Sequence, residues 1–310
     1  MNLPLFSVFA PTTKEAWKQQ VIKDLKGKDF DTTLLWETPE GITMPPYYTE
    51  EDLTDHRLGE LQSVQKKTVG WLNSSTILFE NELFTNSKML ALIQQGVDII
   101  QLDLRQVDIH NIEFTRLLNG IKLSQTPIYF QTNNQDTALL RVLQKIIPYQ
   151  IKGGCTYDGL SQWMQTGESS TTSFEELKER LIQTANSPQF RAICVDSSVF
   201  HNAGANAVQE LAFTLSAAVT YIDKLTDLDI AFELVLQKLY FSMAVGTHYF
   251  MEIAKLRALR YLWAKISKQF EQIPTLAPTP AAFSTCIFAQ TSTFYDTVLS
   301  PHTNMIQCYY

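Results

Sequence analysis

Hydrophobic and polar positions along this chain follow two rhythms. Trp17, Val21 and Leu25 recur at four-residue intervals behind Thr12 and Glu15, which have capping-box spacing, and Gly27 supplies a stop. The spacing predicts an amphipathic helix over residues 13–26. From Asp31 to Asp55 turn signals dominate: Thr38-Pro-Glu-Gly41 and Met44-Pro-Pro-Tyr47 fix local backbone geometry without periodicity, so the stretch reads as an extended arm. After about residue 60, short apolar segments alternate with helical ones. Strands are expected at 70–73, 98–104, 127–132, 150–153, 192–196, 239–244 and 285–290, most of them followed by helical periodicity. Alternation of this kind specifies a parallel sheet with crossover helices. Ile99, Ile100, Leu102 and Leu104 are nearly continuous in apolar character, as a strand buried on both faces requires. The fold class expected is α/β, a TIM (β/α)8-type barrel left incomplete at about seven strands. Residues 1–60 would form an N-terminal helix and arm, and 61–310 a truncated (β/α) barrel domain.

Two long helices support that layout. Asn206 with Gln209 matches a capping box ahead of an apolar stripe of Val208, Leu211, Ala212, Leu215, Val219 and Ile222. From Thr247 to about Phe270, Phe250, Ile253, Ala254 and Tyr261 share one face, and Tyr249, Leu256 and Trp263 widen it. Both helices should pack on the barrel wall. The segment 275–282, with Pro278 and Pro280, reads as a connection to the last strand.

Composition narrows the class. Of 310 residues 45% are hydrophobic and 18% charged, the make-up of a packed globular protein. A net charge of -7 argues against a nucleic-acid or anionic-membrane surface, because neutralising phosphates requires clustered Lys and Arg. Cys155, Cys194, Cys286 and Cys308 lie far apart without C-x-x-C spacing, so neither zinc nor a disulfide framework is indicated. They read as thiols in a reducing cytoplasm. The first residues carry no basic region followed by a long apolar one, and no stretch of about 18 uncharged apolar residues occurs, so a soluble, unexported protein is expected.

Generic catalytic motifs are absent: there is no phosphate-binding glycine loop, H-E-x-x-H or G-x-S-x-G, and Lys152-Gly153-Gly154 is too short to stand for one. The stretch from Asp52 to Gly59 approaches the cobalamin lower-ligand pattern D-x-H-x-x-G, but Thr54 stands two before His56 where Asp is needed, so it reads as a polar loop. The five histidines, at 56, 110, 201, 248 and 302, show no ligand spacing, and no metal is expected. Asp196, Ser198 and His201 follow one another at the end of a predicted strand, where a barrel places functional loops. Adjacency gives no triad geometry, so a strand-end and helix-capping cluster is the simpler reading. Glu252 and Lys255, three residues apart, read as a surface ion pair worth a few tenths of a kcal/mol, and Arg257 and Arg260 on the same helix as structural.

The run His201-Asn-Ala-Gly-Ala-Asn-Ala-Val-Gln-Glu-Leu-Ala212, with Tyr249-Phe-Met-Glu-Ile-Ala-Lys-Leu-Arg-Ala-Leu-Arg-Tyr-Leu-Trp263, closely resembles two signatures of the methylmalonyl-CoA mutase family. Trp17-Lys-Gln-Gln-Val-Ile-Lys-Asp-Leu-Lys-Gly27 and Leu35-Trp-Glu-Thr-Pro-Glu-Gly-Ile42 are similar to the family's N-terminal segment. Ala289-Gln-Thr-Ser292 and Pro301-His-Thr-Asn-Met305 are similar to segments around its seventh strand. The resemblance implies a TIM barrel through which an acyl-CoA threads, with adenosylcobalamin held against a C-terminal domain for the radical interconversion of methylmalonyl-CoA and succinyl-CoA. Some bacterial enzymes of the family pair a catalytic large subunit with a similar non-catalytic small one.

Three departures point to the small-subunit type. Where catalytic chains carry a Tyr-His pair ahead of the Ala-Gly-Ala turn, this sequence has Ser198 and Val199, which removes the imidazole donor to the thioester carbonyl. Gln65-Lys-Lys-Thr-Val-Gly-Trp-Leu-Asn-Ser74 has two lysines but none of the arginine and tyrosine expected there. The sequence stops at Tyr310 with nothing like the cobalamin domain, which would leave an uncovered sheet edge and room for self-association. No catalytic residue is therefore expected; Arg257 and Gln290 occupy positions similar to acyl-CoA-contacting ones and are carried as remnants. Adenosylcobalamin is expected on a homologous large subunit rather than on this chain. A self-sufficient acyl-CoA mutase and a barrel hydrolase using Asp196, Ser198 and His201 remain the alternatives.

Overall fold

The computed structural model describes residues 12–53, 57–66, 70–167, 174–271, 285–299 and 301–307. His56 and its neighbours Thr54 and Asp55, and Cys308, lie outside the described residues. The chain divides into two compact units, one up to Ser63 and one from Val64.

In the first unit, α1 (Lys14–Asp24) begins one residue later than the capping spacing suggests: Thr13 is the cap, and its hydroxyl accepts from the Ala16 amide at 3.2 Å. The expected arm is not featureless. It holds α2 (Phe30–Leu34), capped by Asp29, and the antiparallel pair β1 (Trp36–Glu37) and β2 (Thr43–Met44), before α3 (Arg57–Ser63). Trp17 organises this unit by packing its ring 4.8 Å from Tyr47 and 6.5 Å from Phe30.

The second unit alternates strand and helix. Its first half runs β3 (Ser74–Leu78), α4 (Glu82–Gln94), β4 (Ile99–Asp103), α5 (Phe114–Leu117), β5 (Ile128–Gln131), α6 (Asp136–Ile146), β6 (Gly153–Cys155), α7 (Gly159–Thr166) and α8 (Phe174–Thr184). The second half runs β7 (Phe190–Arg191), β8 (Ile193–Asp196), α9 (Ser198–Asn202), α10 (Ala207–Thr226), α11 (Phe232–Lys238), β9 (Leu239–Val245), α12 (Tyr249–Glu271), β10 (Ile287–Thr291) and α13 (Pro301–Gln307). All pairings in this unit are parallel, in the orders β3-β4-β5-β6-β7 and β8-β9-β10. Ala192 alone separates β7 from β8, so the two ladders share one chain segment: its first part pairs with β6 and its second with β9. Seven strand positions therefore follow one another in chain order.

Among the described residues no ladder joins β3 to β10, so the alternation is seen as a parallel sheet open at that point, and a full barrel is not formed by these ladders. The sheet is nevertheless rolled. Four strand spacings of about 4.8 Å would put β5 and β10 roughly 19 Å apart in a flat sheet, yet the rings of Tyr129 on β5 and Phe288 on β10 have centroids 5.3 Å apart.

Alternation along the strands sorts the core. Ile100, Leu102, Ile128 and Phe130 face one helical layer, and Ile193, Val195, Phe241 and Met243 face another built with Leu215, Ile222, Leu259 and Trp263. The first strand lies later than expected. Trp71 and Leu72 are exposed, and the ladder starts at Ser74, its first hydrogen bond running from the Ile99 amide to the Asn73 carbonyl, which also accepts from the Asp98 amide, while the Asn73 amide donates to the Asp98 carboxylate. Gly153 sits at φ 120° where a Cβ would fall 1.9 Å from the Ile128 carbonyl oxygen, so only glycine permits β6 to lie against β5 there. No helix among the described residues is long and apolar enough to cross a membrane.

Candidate functional site

The concave side of the rolled sheet is closed by side chains. Ile99, Tyr129, Cys194 and Tyr240 are buried together there, joined by the half-buried Cys286 and Phe288. Tyr129 stands with its ring centroid 5.3 Å from that of Tyr240, as it does from that of Phe288, and the Tyr240 hydroxyl donates to the Cys155 carbonyl at 3.1 Å. Burial raises both phenols above their ordinary range, so they remain neutral hydrogen-bonding groups.

One residue pair further along β8 and β10, Asp196 and Gln290 meet. Asp196 Oδ1 accepts from the Ser198 amide at 3.0 Å and from Gln290 Nε2 at 3.3 Å, and Oδ2 accepts from the Ser198 hydroxyl at 2.7 Å. Burial raises the Asp196 carboxyl, with the nearby Asp158 charge adding to the effect and hydrogen bonds from Ser198 opposing it. The Asp158 carboxylate in turn accepts from the Asp196 amide at 2.9 Å and from the Ser161 hydroxyl at 2.7 Å, and it pairs with the Tyr221 hydroxyl.

Behind the same strand ends lies a second polar cluster. Ser197, the residue after β8, is fully buried; its hydroxyl donates to Glu210 Oε1 at 2.6 Å and accepts from the Ala244 amide on β9 at 3.0 Å. The capping box of Asn206 and Gln209 starts α10 and turns Glu210 inward. Glu210 Oε2 receives His201 Nδ1 at 3.1 Å and Lys255 Nζ at 2.8 Å. Lys255 also donates to the Ala244 carbonyl at 2.8 Å and pairs with Glu252 at 2.6 Å. Burial pushes the Glu210 carboxyl up, but the His201 hydrogen bond and the Lys255 charge outweigh it, and the group ends below its ordinary value.

These contacts correct one expectation. Lys255 is 2% exposed, so its pair with Glu252 is part of a buried network and not a surface bridge. The Asp196, Ser198 and His201 succession forms the strand-end cluster expected of it and no triad: the Ser198 hydroxyl donates a hydrogen bond to Asp196, while His201 turns to Glu210. That removes the hydrogen-bond relay a serine nucleophile requires.

Arg257 and Gln290 occupy different environments. Arg257 is exposed on α12, where its carbonyl accepts from Gln65, and Gln290 is engaged with Asp196 on the concave face. No hydrogen bond joins them among the described residues. Ser197 and Glu210 were not singled out by sequence reasoning, although a carboxylate at the inward edge of the α10 apolar stripe was a visible signal. No group of three potential metal ligands occurs among the described residues.

Comparison with known proteins places these features in a family. A sequence profile of the family described as Methylmalonyl-CoA mutase matches residues 106–310. The Methylmalonyl-CoA mutase small subunit of Porphyromonas gingivalis is 30% identical across 84% of this chain and 45% of its own length. The corresponding small subunit of Streptomyces virginiae is 26% identical across 99% of this chain and 52% of its own. The Methylmalonyl-CoA mutase large subunit of Streptomyces virginiae is 26% identical across 83% of this chain and 41% of its own. The chain thus spans about half the length of the curated relatives it matches.

Proposed function

This chain belongs to the methylmalonyl-CoA mutase family, and we propose that it is the barrel region of a small subunit. In this reading it supports a homologous large catalytic subunit in the cobalamin-dependent interconversion of methylmalonyl-CoA and succinyl-CoA, as a cytoplasmic heterodimer. Small-subunit relatives from two bacteria, and a large-subunit relative from one of them, support the pairing of homologous chains.

The observation that carries the non-catalytic part of the reading is the filled concave face. An acyl-CoA threaded along the inside of a parallel barrel needs that space, and Tyr129, Tyr240 and Phe288 occupy it with contacting rings. The groups around them offer a thioester little. Ser198 and Val199 stand where catalytic chains place their Tyr-His pair, and the Ser198 hydroxyl is already committed to Asp196. Gln290, similar in position to an acyl-CoA contact, gives its amide to the same carboxylate. Asp196 adds an acidic group where an anionic acyl chain would pass. In this reading Arg257 and Gln290 are remnants of an ancestral site.

The residues at the strand ends do not fit adenosylcobalamin. His201, the imidazole buried there, has Nδ1 tied to Glu210, and its remaining nitrogen, Nε2, is closed off by burial beneath Phe294 and Tyr295, so it is not open to a cofactor's metal. The cofactor is accordingly assigned to the partner chain. Isothermal titration of this chain with methylmalonyl-CoA tests the reading: no saturable heat is expected, and one-to-one binding at micromolar concentration would overturn the non-catalytic assignment.

A further inference from the structure

His201 is the one histidine of the strand-end cluster, and its two ring nitrogens have unequal surroundings. Nδ1 lies 3.1 Å from Glu210 Oε2, a carboxylate also held by Ser197 and Lys255, which fixes the proton on Nδ1 when the ring is neutral. Nε2 is buried without a hydrogen-bond partner among the described residues. The ring is 8% exposed and is covered by the turn after β10, with Phe294 and Tyr295 edge-on at centroid distances of 6.2 and 6.4 Å.

Gly246 explains how the cover seats. The position its missing Cβ would take is approached by Tyr295 Cε2 at 3.2 Å, Glu252 Oε1 at 3.4 Å and His201 Cε1 at 3.4 Å. Imidazole, carboxylate and phenol edge therefore converge on one point above the end of β9. The charged groups around the ring are Glu210 on α10 and Glu252 and Lys255 on α12, which sum to one negative charge while His201 is neutral.

We infer that this is a proton-operated latch: protonated His201 donates Nε2–H to Glu252 across Gly246, and the Tyr295 edge gives up its place, releasing the turn 292–299. Protonation neutralises the buried cluster, while a charged Nε2–H left against aromatic edges would lack an acceptor. In the latch Glu252 supplies that acceptor, and the Tyr295 edge, which approaches the same point beside Gly246, moves aside. The inference stands on contacts within this chain and does not depend on the catalytic or supporting role proposed above.

Hydrogen exchange of the turn, corrected for intrinsic rates and followed from pH 8 to 5, tests it. Several-fold faster exchange of amides 293–299 at the acid end is expected in the native sequence, with a pH-independent profile in His201→Gln. In Glu252→Gln the acid response should shrink, since a neutral amide is a weaker acceptor for an imidazolium. Circular dichroism establishes that each variant is folded; should both misfold, a Tyr295→Trp chain reporting the turn by fluorescence carries the same test. A flat profile in the native sequence, or an unchanged acid response in folded His201→Gln, overturns the latch.

Discussion

Lys255 carries its ammonium into the interior, where Glu210, Glu252 and the Ala244 carbonyl surround it. Removing one member of such a cluster leaves uncompensated charge, so Lys255→Met is expected to lower stability by about 3–5 kcal/mol in urea unfolding, a large part of a domain's total. The pH dependence has a definite sign. Glu210 is held below its ordinary value, so its contribution is present at neutral pH and is lost as pH falls through the depressed folded value. Lys238 gives the same sign in the alkaline range, through burial of a cation rather than pairing of a carboxylate. It is fully buried, donates to the carbonyls of Thr184 and Ser187, and is pushed down by burial to about 8, with the Arg191 charge contributing. Between that value and the ordinary lysine range the unfolded chain binds the extra proton, so stability should rise with pH there. The urea midpoint of the native chain relative to Lys238→Met should climb from pH 8 to 10; a constant difference would contradict the assignment. None of this was legible locally. Glu252 and Lys255 look like a surface pair because the second carboxylate that Lys255 binds, Glu210, lies on a different helix, and burial is set by how those helices meet.

Helices and strands were far more legible than their contacts, because each repeats its own period in the sequence. The capping box at Asn206 and Gln209 appears as expected, with both reciprocal hydrogen bonds formed, and Asn206→Ala should cost about 1 kcal/mol of stability. Gly153→Ala should be far more damaging, since the new Cβ would collide with the Ile128 carbonyl at a backbone angle that L residues rarely adopt; loss of soluble folded protein, read by circular dichroism, is expected. The first strand shows where periodicity misleads. Trp71 and Leu72 are apolar but exposed, and the ladder begins only after Asn73 has anchored Asp98 and Ile99. The strand expected at 192–196 pairs with β9, and the two residues before it, Phe190 and Arg191, pair with β6 on the other side, an extension that the local pattern does not mark.

At the scale of the molecule, the chain order of seven parallel strand positions follows from the alternation of segments, whereas the rolling of the sheet depends on contacts between residues as distant as Tyr129 and Phe288. In the proposed reading those contacts bear on function, because the space a threaded thioester would require is taken by the rings of Tyr129, Tyr240 and Phe288. Exchanging Tyr129, Tyr240 and Phe288 together for serine should open the concave face and give any residual CoA affinity room to appear in titration; an unchanged absence of binding in a folded triple variant would assign the loss to the missing polar donors instead. The most direct measurement of the account is affinity purification of the natural gene product from its host, followed by mass spectrometry of whatever accompanies it. A stoichiometric second mutase chain bearing the Tyr-His pair that Ser198 and Val199 replace is the result predicted. A product that comes down alone and interconverts methylmalonyl-CoA and succinyl-CoA by itself would contradict it.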